Sequence, residues 1–210
     1  MIEHLQTQHQ KKQNDLAAAL ARYTGAGKQG EERLFAELCF CLCTPQSKAR
    51  ACDLAIQTLQ KENLLFKGNH TNISNALVKS GVRFHKNKAN YILAARAYCK
   101  KNPLTALLSS TPSDLTLREI LVKHIKGLGY KEASHFLRNV GRWENLAILD
   151  RHILKNLVAY KAIRSIPSTL TPKKYFAIEK KMQTFAKNSN IPLEHLDLLF
   201  WSEETGEIFK

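Results

Sequence analysis

Apolar residues recur along this chain every three to four positions. "LAAALARY" (16–23), "SKARACDLAIQTLQKE" (47–62) and "KNKANYILAARAYCKK" (86–101) each gather them on one face of a helix and leave charged residues on the other. "ERLFAELCFCLC" (32–43) is apolar nearly all round, which predicts a helix set deep in a core. The period-two alternation of a half-buried strand is not pronounced anywhere. The pattern predicts an all-α fold.

Prolines and glycines punctuate that pattern. Pro45, Pro103, Pro112, Pro167, Pro172 and Pro192 all fall between apolar-periodic segments, where a fixed φ and a missing N–H do least harm. "TPSD" (111–114) and "TLTPKK" (169–174) read as helix starts. "TGAGKQGE" (24–31) holds three glycines and reads as a flexible connection, a candidate crossing between domains. "NHTNIS" (69–74) reads as a polar loop. No repeat is visible. No apolar run approaches the ~18–20 residues of a membrane span, and the polar start "MIEHLQTQHQKKQNDL" lacks the apolar centre of a secretory signal. An intracellular protein without membrane contact is expected.

Composition adds one strong constraint. The chain has 210 residues, and its 32 Lys and Arg against 18 Asp and Glu leave a net charge of +14. A surplus of that size points to an anionic partner, foremost a nucleic acid. The five cysteines (Cys39, Cys41, Cys43, Cys52 and Cys99) are odd in number and form no CxxC. They lack the four-cysteine cluster of an iron–sulfur site. Small buried apolar residues are the better reading, ahead of a metal or redox role.

Two segments carry candidate chemistry. In "KHIKGLGYKEASHFLRNVG" (123–141), Ile120, Leu121 and Ile125 close one helix, and Ala133, Phe136, Leu137 and Val140 mark the next. Gly127 and Gly129 between them permit a tight turn with positive φ. A helix–hairpin–helix unit of this kind presents backbone N–H groups at the second helix's N-terminus, a natural phosphate site that binds DNA without reading its sequence. Downstream, "LAILDRHILKNL" (146–157) brings an apolar run to Asp150 at a helix N-cap position, with His152 in the first turn.

Together, "GLGYKEAS" and, nineteen residues after its lysine, "LDRH" resemble the helix–hairpin–helix DNA glycosylases, whose pattern is a glycine hairpin, a lysine in bifunctional members, and an apolar run ending in Asp-x-His. "LCTPQSKA" (42–49), "GVRFHKNKANYI" (81–92) and the closing "FWSEETGEIFK" (200–210) narrow the resemblance to the type 2 8-oxoguanine DNA glycosylase/lyases. It runs from about residue 30 to the last residue.

The resemblance implies two helical domains, residues 1–30 plus 160–210 and residues 31–159, with the active site in the cleft between them. It implies excision of 8-oxoguanine from damaged double-stranded DNA by a monomer, then strand cleavage at the abasic site. It requires no cofactor and no iron–sulfur cluster. Lys131 would be the nucleophile, because an amine can attack C1′ and form a Schiff base. The helix dipole and burial both disfavour an ammonium at such a position. Asp150 would stabilise positive charge developing on the sugar. Gly127, Gly129 and His152 would contact the DNA backbone, and Gln46 would fill the hole left by the extruded nucleotide. The carbonyls of Ile125 and Leu128 would offer a structural cation site. Trp201 and Phe84 would stack on the base. Lys210, with a carbonyl or terminal carboxylate and an ammonium, would meet the N7–H that distinguishes 8-oxoguanine from guanine. Two alternatives remain: a related glycosylase for another damaged base, and a DNA-binding module without catalysis. A module has no use for Lys131 paired with Asp150.

Overall fold

The computed structural model describes residues 2–209. Among them the chain is built from α-helices, with no strand. In chain order the helices are α1 (Ile2–Gly27), α2 (Glu31–Cys43), α3 (Ala49–Lys61), α4 (Leu64–Lys67), α5 (His70–Lys79), α6 (His85–Lys101), α7 (Leu104–Ser110), α8 (Asp114–His124), α9 (Tyr130–Asn139), α10 (Arg151–Ala159), α11 (Pro172–Ser189) and α12 (Leu193–Thr205). The proline-marked starts are helix N-termini. Ser113 caps α8 by accepting from Thr116 N, and Thr171 caps α11 ahead of Pro172.

The buried apolar side chains fall into distinct clusters. One draws on α2 to α9 and ends at Leu146, with α2 at its centre. A second gathers Leu5 with residues from Ala147 to Phe200. A smaller third joins Leu16, Ala19, Leu20 and Tyr23 of α1 to Leu198 of α12. The change of core falls between Leu146 and Ala147, ahead of the division at 159/160 expected from sequence. Ile153, Leu154 and Leu157 of α10 pack with the terminal helices. The apolar run 146–149 is therefore the crossing between cores.

One buried ion pair ties the two sides. Arg118 of α8 donates to Glu179 of α11 through Nη1 at 2.6 Å and Nη2 at 2.8 Å, with both side chains almost fully buried. Glu179 Oε1 also accepts Ala147 N at 2.8 Å, so this pair holds the crossing segment that leads to Asp150.

Two sequence expectations are corrected. "TGAGKQGE" is not a flexible link, because α1 continues through Gly25 to Gly27. A Cβ on Gly27 would lie 2.2 Å from the Val140 carbonyl oxygen, so that glycine serves a close backbone approach. "NHTNIS" is not a loop. Asn69 and Asn72 form a reciprocal capping box at the start of α5, and Ile73 and Leu77 supply its buried face.

Candidate active site

The hairpin joins α8 to α9. Ile125 ends α8, its N–H bonded to Leu121 O at 2.8 Å, and Leu128 N donates to Ile125 O at 3.1 Å to close the turn. Gly127 has φ +87°, and a Cβ there would come within 2.4 Å of the Tyr91 ring, so both conformation and space demand glycine. Gly129 does not take the positive φ expected from sequence. Its φ of −90° and ψ of −179° make it the extended N-cap of α9, with its carbonyl accepting Ala133 N at 2.9 Å. A Cβ at Gly129 would sit 3.0 Å from Glu132 Oε2.

Lys131 lies in the first turn of α9, partly buried, with Nζ 2.9 Å from Glu132 Oε1. The ion pair tethers the amine. Asp150 is the N-cap of α10. Its Oδ1 accepts both His152 N and Ile153 N at 2.8 Å, leaving Oδ2 outside the cap. Lys131 thus stands on a helix of the first core, and Asp150 on the first residue past the crossing into the second.

A third group was missed from the sequence. Asp197 of α12 is buried, with its Oδ2 3.7 Å from Arg138 Nη2. Burial pushes its carboxyl up to about 6; the Arg138 guanidinium opposes this, Asp150's charge adds to it and Lys131's charge opposes it. Asp197 therefore lies within electrostatic reach of both proposed reacting groups. Arg138 is held in turn by Tyr23, donating to its hydroxyl at 3.1 Å with the guanidinium 4.7 Å over the ring. An acid among Leu196, Leu198, Leu199 and Phe200 was the available signal.

The other candidate residues stand on separate elements. His152 faces α12, with Nδ1 3.6 Å from Glu204 Oε2, and its Nε2 accepts Arg151 Nε at 3.1 Å. Gln46 is exposed in the turn between α2 and α3 with φ +55°, in the left-handed region. Phe84 caps α6 with φ +57°, half exposed, and Arg83 lies 5.7 Å from its ring centroid. Trp201 is partly buried and its ring neighbour is Phe209, at 6.4 Å. Phe84 and Trp201 thus have separate ring contacts.

The tail docks on the body. After Gly206 turns the chain at φ +80°, Glu207 takes a bidentate ion pair from Arg50 of α3, whose guanidinium also lies 4.0 Å over Phe209. Ile208 packs on the third cluster, and Tyr23 OH donates to Phe209 O at 3.4 Å. Lys210 itself lies outside the described residues.

The five cysteines are buried and none is part of a disulfide. Among the described residues no group of three or more His, Cys, Asp or Glu is placed to hold a metal ion. Nor is any described helix long and apolar enough to cross a membrane.

Known proteins share this arrangement over nearly the whole chain. Residues 16–191 match the family model described as 8-oxoguanine DNA glycosylase. An 8-oxoguanine DNA glycosylase/AP lyase of Fusobacterium nucleatum is 46% identical over 177 residues, 83% of this chain and 81% of that protein. One from Methanocaldococcus jannaschii is 39% identical over 87% of this chain and 85% of its own length. The crystal structure of a Methanocaldococcus jannaschii 8-oxoguanine glycosylase/lyase with a 15mer DNA containing 8-oxoguanine superimposes with a TM-score of 0.91 at 31% identity, covering 100% of this chain and 99% of that one. That of the Thermotoga maritima 8-oxoguanine DNA glycosylase gives 0.90 at 28% identity, covering 100% and 98%. With the family model matched over residues 16–191 and relatives 39–46% identical over more than four fifths of its length, this chain belongs to the 8-oxoguanine DNA glycosylase family.

Proposed function

We propose that this protein excises 8-oxoguanine from double-stranded DNA with Lys131 as nucleophile and then cleaves the strand at the resulting abasic site, acting as a monomer inside the cell. The observation that carries the reading is the placement of Lys131 in the first turn of α9, directly after the glycine hairpin, with Asp150 as the N-cap of α10, in a chain 46% identical to an 8-oxoguanine DNA glycosylase/AP lyase.

The hairpin N–H groups and the N-terminus of α9 would hold a DNA phosphate, with Gly127 and Gly129 keeping side chains out of the way. Backbone carbonyls of Ile125 and Leu128 would hold a structural cation beside it. Leu128 N occupies one lone pair of the Ile125 oxygen and leaves the other for an ion. His152 would contact a neighbouring phosphate once Glu204 yields it. The damaged nucleotide is extruded at a cost of a few kcal/mol, and Gln46 would occupy its place and bond the orphaned partner base.

Lys131, once its ammonium has given a proton to the Glu132 carboxylate and left it, attacks C1′ through the Nζ lone pair so formed. The C1′–N9 bond breaks and the base departs with the bonding pair, while Asp150 stabilises the positive charge on the sugar and takes the proton lost from Nζ. The sugar ring opens to a Schiff base, which acidifies C2′–H. Loss of that proton expels the 3′ phosphate by β-elimination, and water then releases Lys131. Every step uses the chain's own groups and water. For recognition, Trp201 and Phe84 would bracket the extruded base, and a main-chain oxygen of Lys210 would accept its N7–H, a contact that guanine cannot make.

Lys131→Gln is the direct test. It should abolish borohydride cross-linking and strand cleavage while the variant still binds 8-oxoguanine duplex. Undiminished cross-linking would remove Lys131 from the mechanism. A panel of lesion duplexes should show 8-oxoguanine as the preferred base.

A further inference from the structure

Lys88 is one of the few charged residues buried in this molecule, only 3% exposed, and the mechanism above does not use it. It lies near the N-terminus of α6, and its ammonium donates to Cys43 O at 2.7 Å, to Pro45 O at 2.8 Å and to Ser47 Oγ at 2.9 Å. An ammonium has three protons, and all three are used. The acceptors belong to a single turn, and two of them flank Gln46 on either side.

That turn is held from other directions as well. Ser47 Oγ accepts Arg83 N at 2.9 Å, Cys43 O accepts the Cys52 thiol at 3.1 Å, and Thr44 Oγ1 bonds Cys41 O at 2.8 Å. Gln46 alone points outward, in a left-handed conformation that a non-glycine residue keeps only when its surroundings impose it. Burying a cation is a costly way to brace a turn, and an apolar side chain would fill the same space without that cost. What an apolar side chain lacks is three donors converging on backbone and hydroxyl acceptors. Burial lowers Lys88 from the ordinary lysine range, and the charge of Lys131 acts in the same direction. The braced turn therefore lies within electrostatic reach of the nucleophile.

We infer that Lys88 is a positioning residue for base extrusion: its buried ammonium locks the 43–47 turn so that Gln46 is presented, already ordered, to the hole left in the duplex. The inference rests on the hole-filling role proposed for Gln46. Pre-ordering matters here because the extruded state lasts only while something fills the stack, and a disordered side chain would lose entropy at that moment.

The test is a double-mutant cycle on the full chain, read as single-turnover excision of 8-oxoguanine from duplex DNA. Gln46→Ala should slow excision, and Lys88→Met should slow it about tenfold. In the Gln46→Ala background Lys88→Met should change the rate less than about twofold, because nothing is left to position. Ser47→Ala, which removes one acceptor and keeps the cation, should show the same non-additivity with a smaller loss, and it carries the cycle if Lys88→Met lacks a cooperative thermal transition. Equal losses from the Lys88 or Ser47 change with and without Gln46 would mean general support of the fold and would overturn the inference. Unchanged excision by Gln46→Ala would instead remove the hole-filling reading, and the inference with it.

Discussion

Replacing Asp150 by asparagine separates two roles that one carboxylate combines. As N-cap, Asp150 accepts His152 N and Ile153 N through Oδ1, both at 2.8 Å. An asparagine carbonyl oxygen occupies the same place and caps about as well. What is lost in stability is the charge–dipole interaction, about 0.3–1 kcal/mol. For a chain of this length that lowers Tm by about 1–4 °C. What is lost in catalysis is the negative charge beside the sugar, and removing such a group costs roughly 10²–10³ in rate, about 2.7–4 kcal/mol of barrier. The assay is single-turnover excision of 8-oxoguanine, with Tm measured alongside and borohydride trapping on pre-formed abasic DNA as a control for Lys131. Trapping should persist, since an abasic aldehyde has no base left to expel. Asp197 supplies a further readout: with Asp150's charge gone, its carboxyl should titrate below its present value of about 6. An Asp150→Asn protein that excises within twofold of the wild type would show that this carboxylate is a helix cap and nothing more.

Three other outcomes are expected. Arg118→Met should leave Glu179 buried without its partner and destabilise the fold by about 3–5 kcal/mol, whereas the double change with Glu179→Leu should recover most of that loss; equal Tm for single and double variants would count against a paired role. Arg50→Ala releases both Glu207 and Phe209 and should slow 8-oxoguanine excision, as should deletion of Lys210, while strand cleavage at a pre-formed abasic site stays intact; excision at the wild-type rate would mean that the docked tail does not read the base. The rings of His9 on α1 and His195 on α12 meet at 2.8 Å, and burial lowers both from the usual histidine range, with the charge of His9 also lowering His195. The folded state then binds fewer protons than the unfolded one, so stability from this pair is present above about pH 6.5 and is lost as pH falls through it. The Tm advantage of the wild type over His9→Asn should accordingly shrink between pH 7.5 and 5.5, and a constant advantage would exclude this linkage.

The helices and the hairpin were legible because local rules decide them. Apolar residues at helical spacing, prolines at helix starts and Gly127 in a tight turn mean the same thing in any fold. The helix N-terminal positions of Lys131 and Asp150 were legible for the same reason, each marked by its neighbours, while the roles proposed for them come from the resemblance. Where the reading failed, distant packing decided. Gly27 reads as flexibility in the sequence, but it admits the carbonyl of Val140, more than a hundred residues away at the end of α9. The asparagines of α5 read as a loop, since a capping box and a loop use the same residue types. Asp197 had a visible oddity but no meaning until α12 was placed against α9 and Asp150. Which cluster each of residues 146–149 joins is not legible either, because the run is uniformly apolar.

The five buried cysteines have a consequence for the conditions under which such an enzyme works. 8-Oxoguanine arises where oxidants reach DNA, and those oxidants reach proteins too. Peroxide reacts with thiolates, and its attack on a cysteine follows both ionisation and access. Here burial pushes Cys52 up to about 11 and Cys99 to about 12, and it raises Cys39 and Cys43 as well. Cys41 is sealed in the same core. Sulfur is thus used as apolar filling with its proton kept on, and neither proposed reacting group, an amine and a carboxylate, is readily oxidised. In the chemistry proposed for this site, no step therefore depends on a thiol staying reduced.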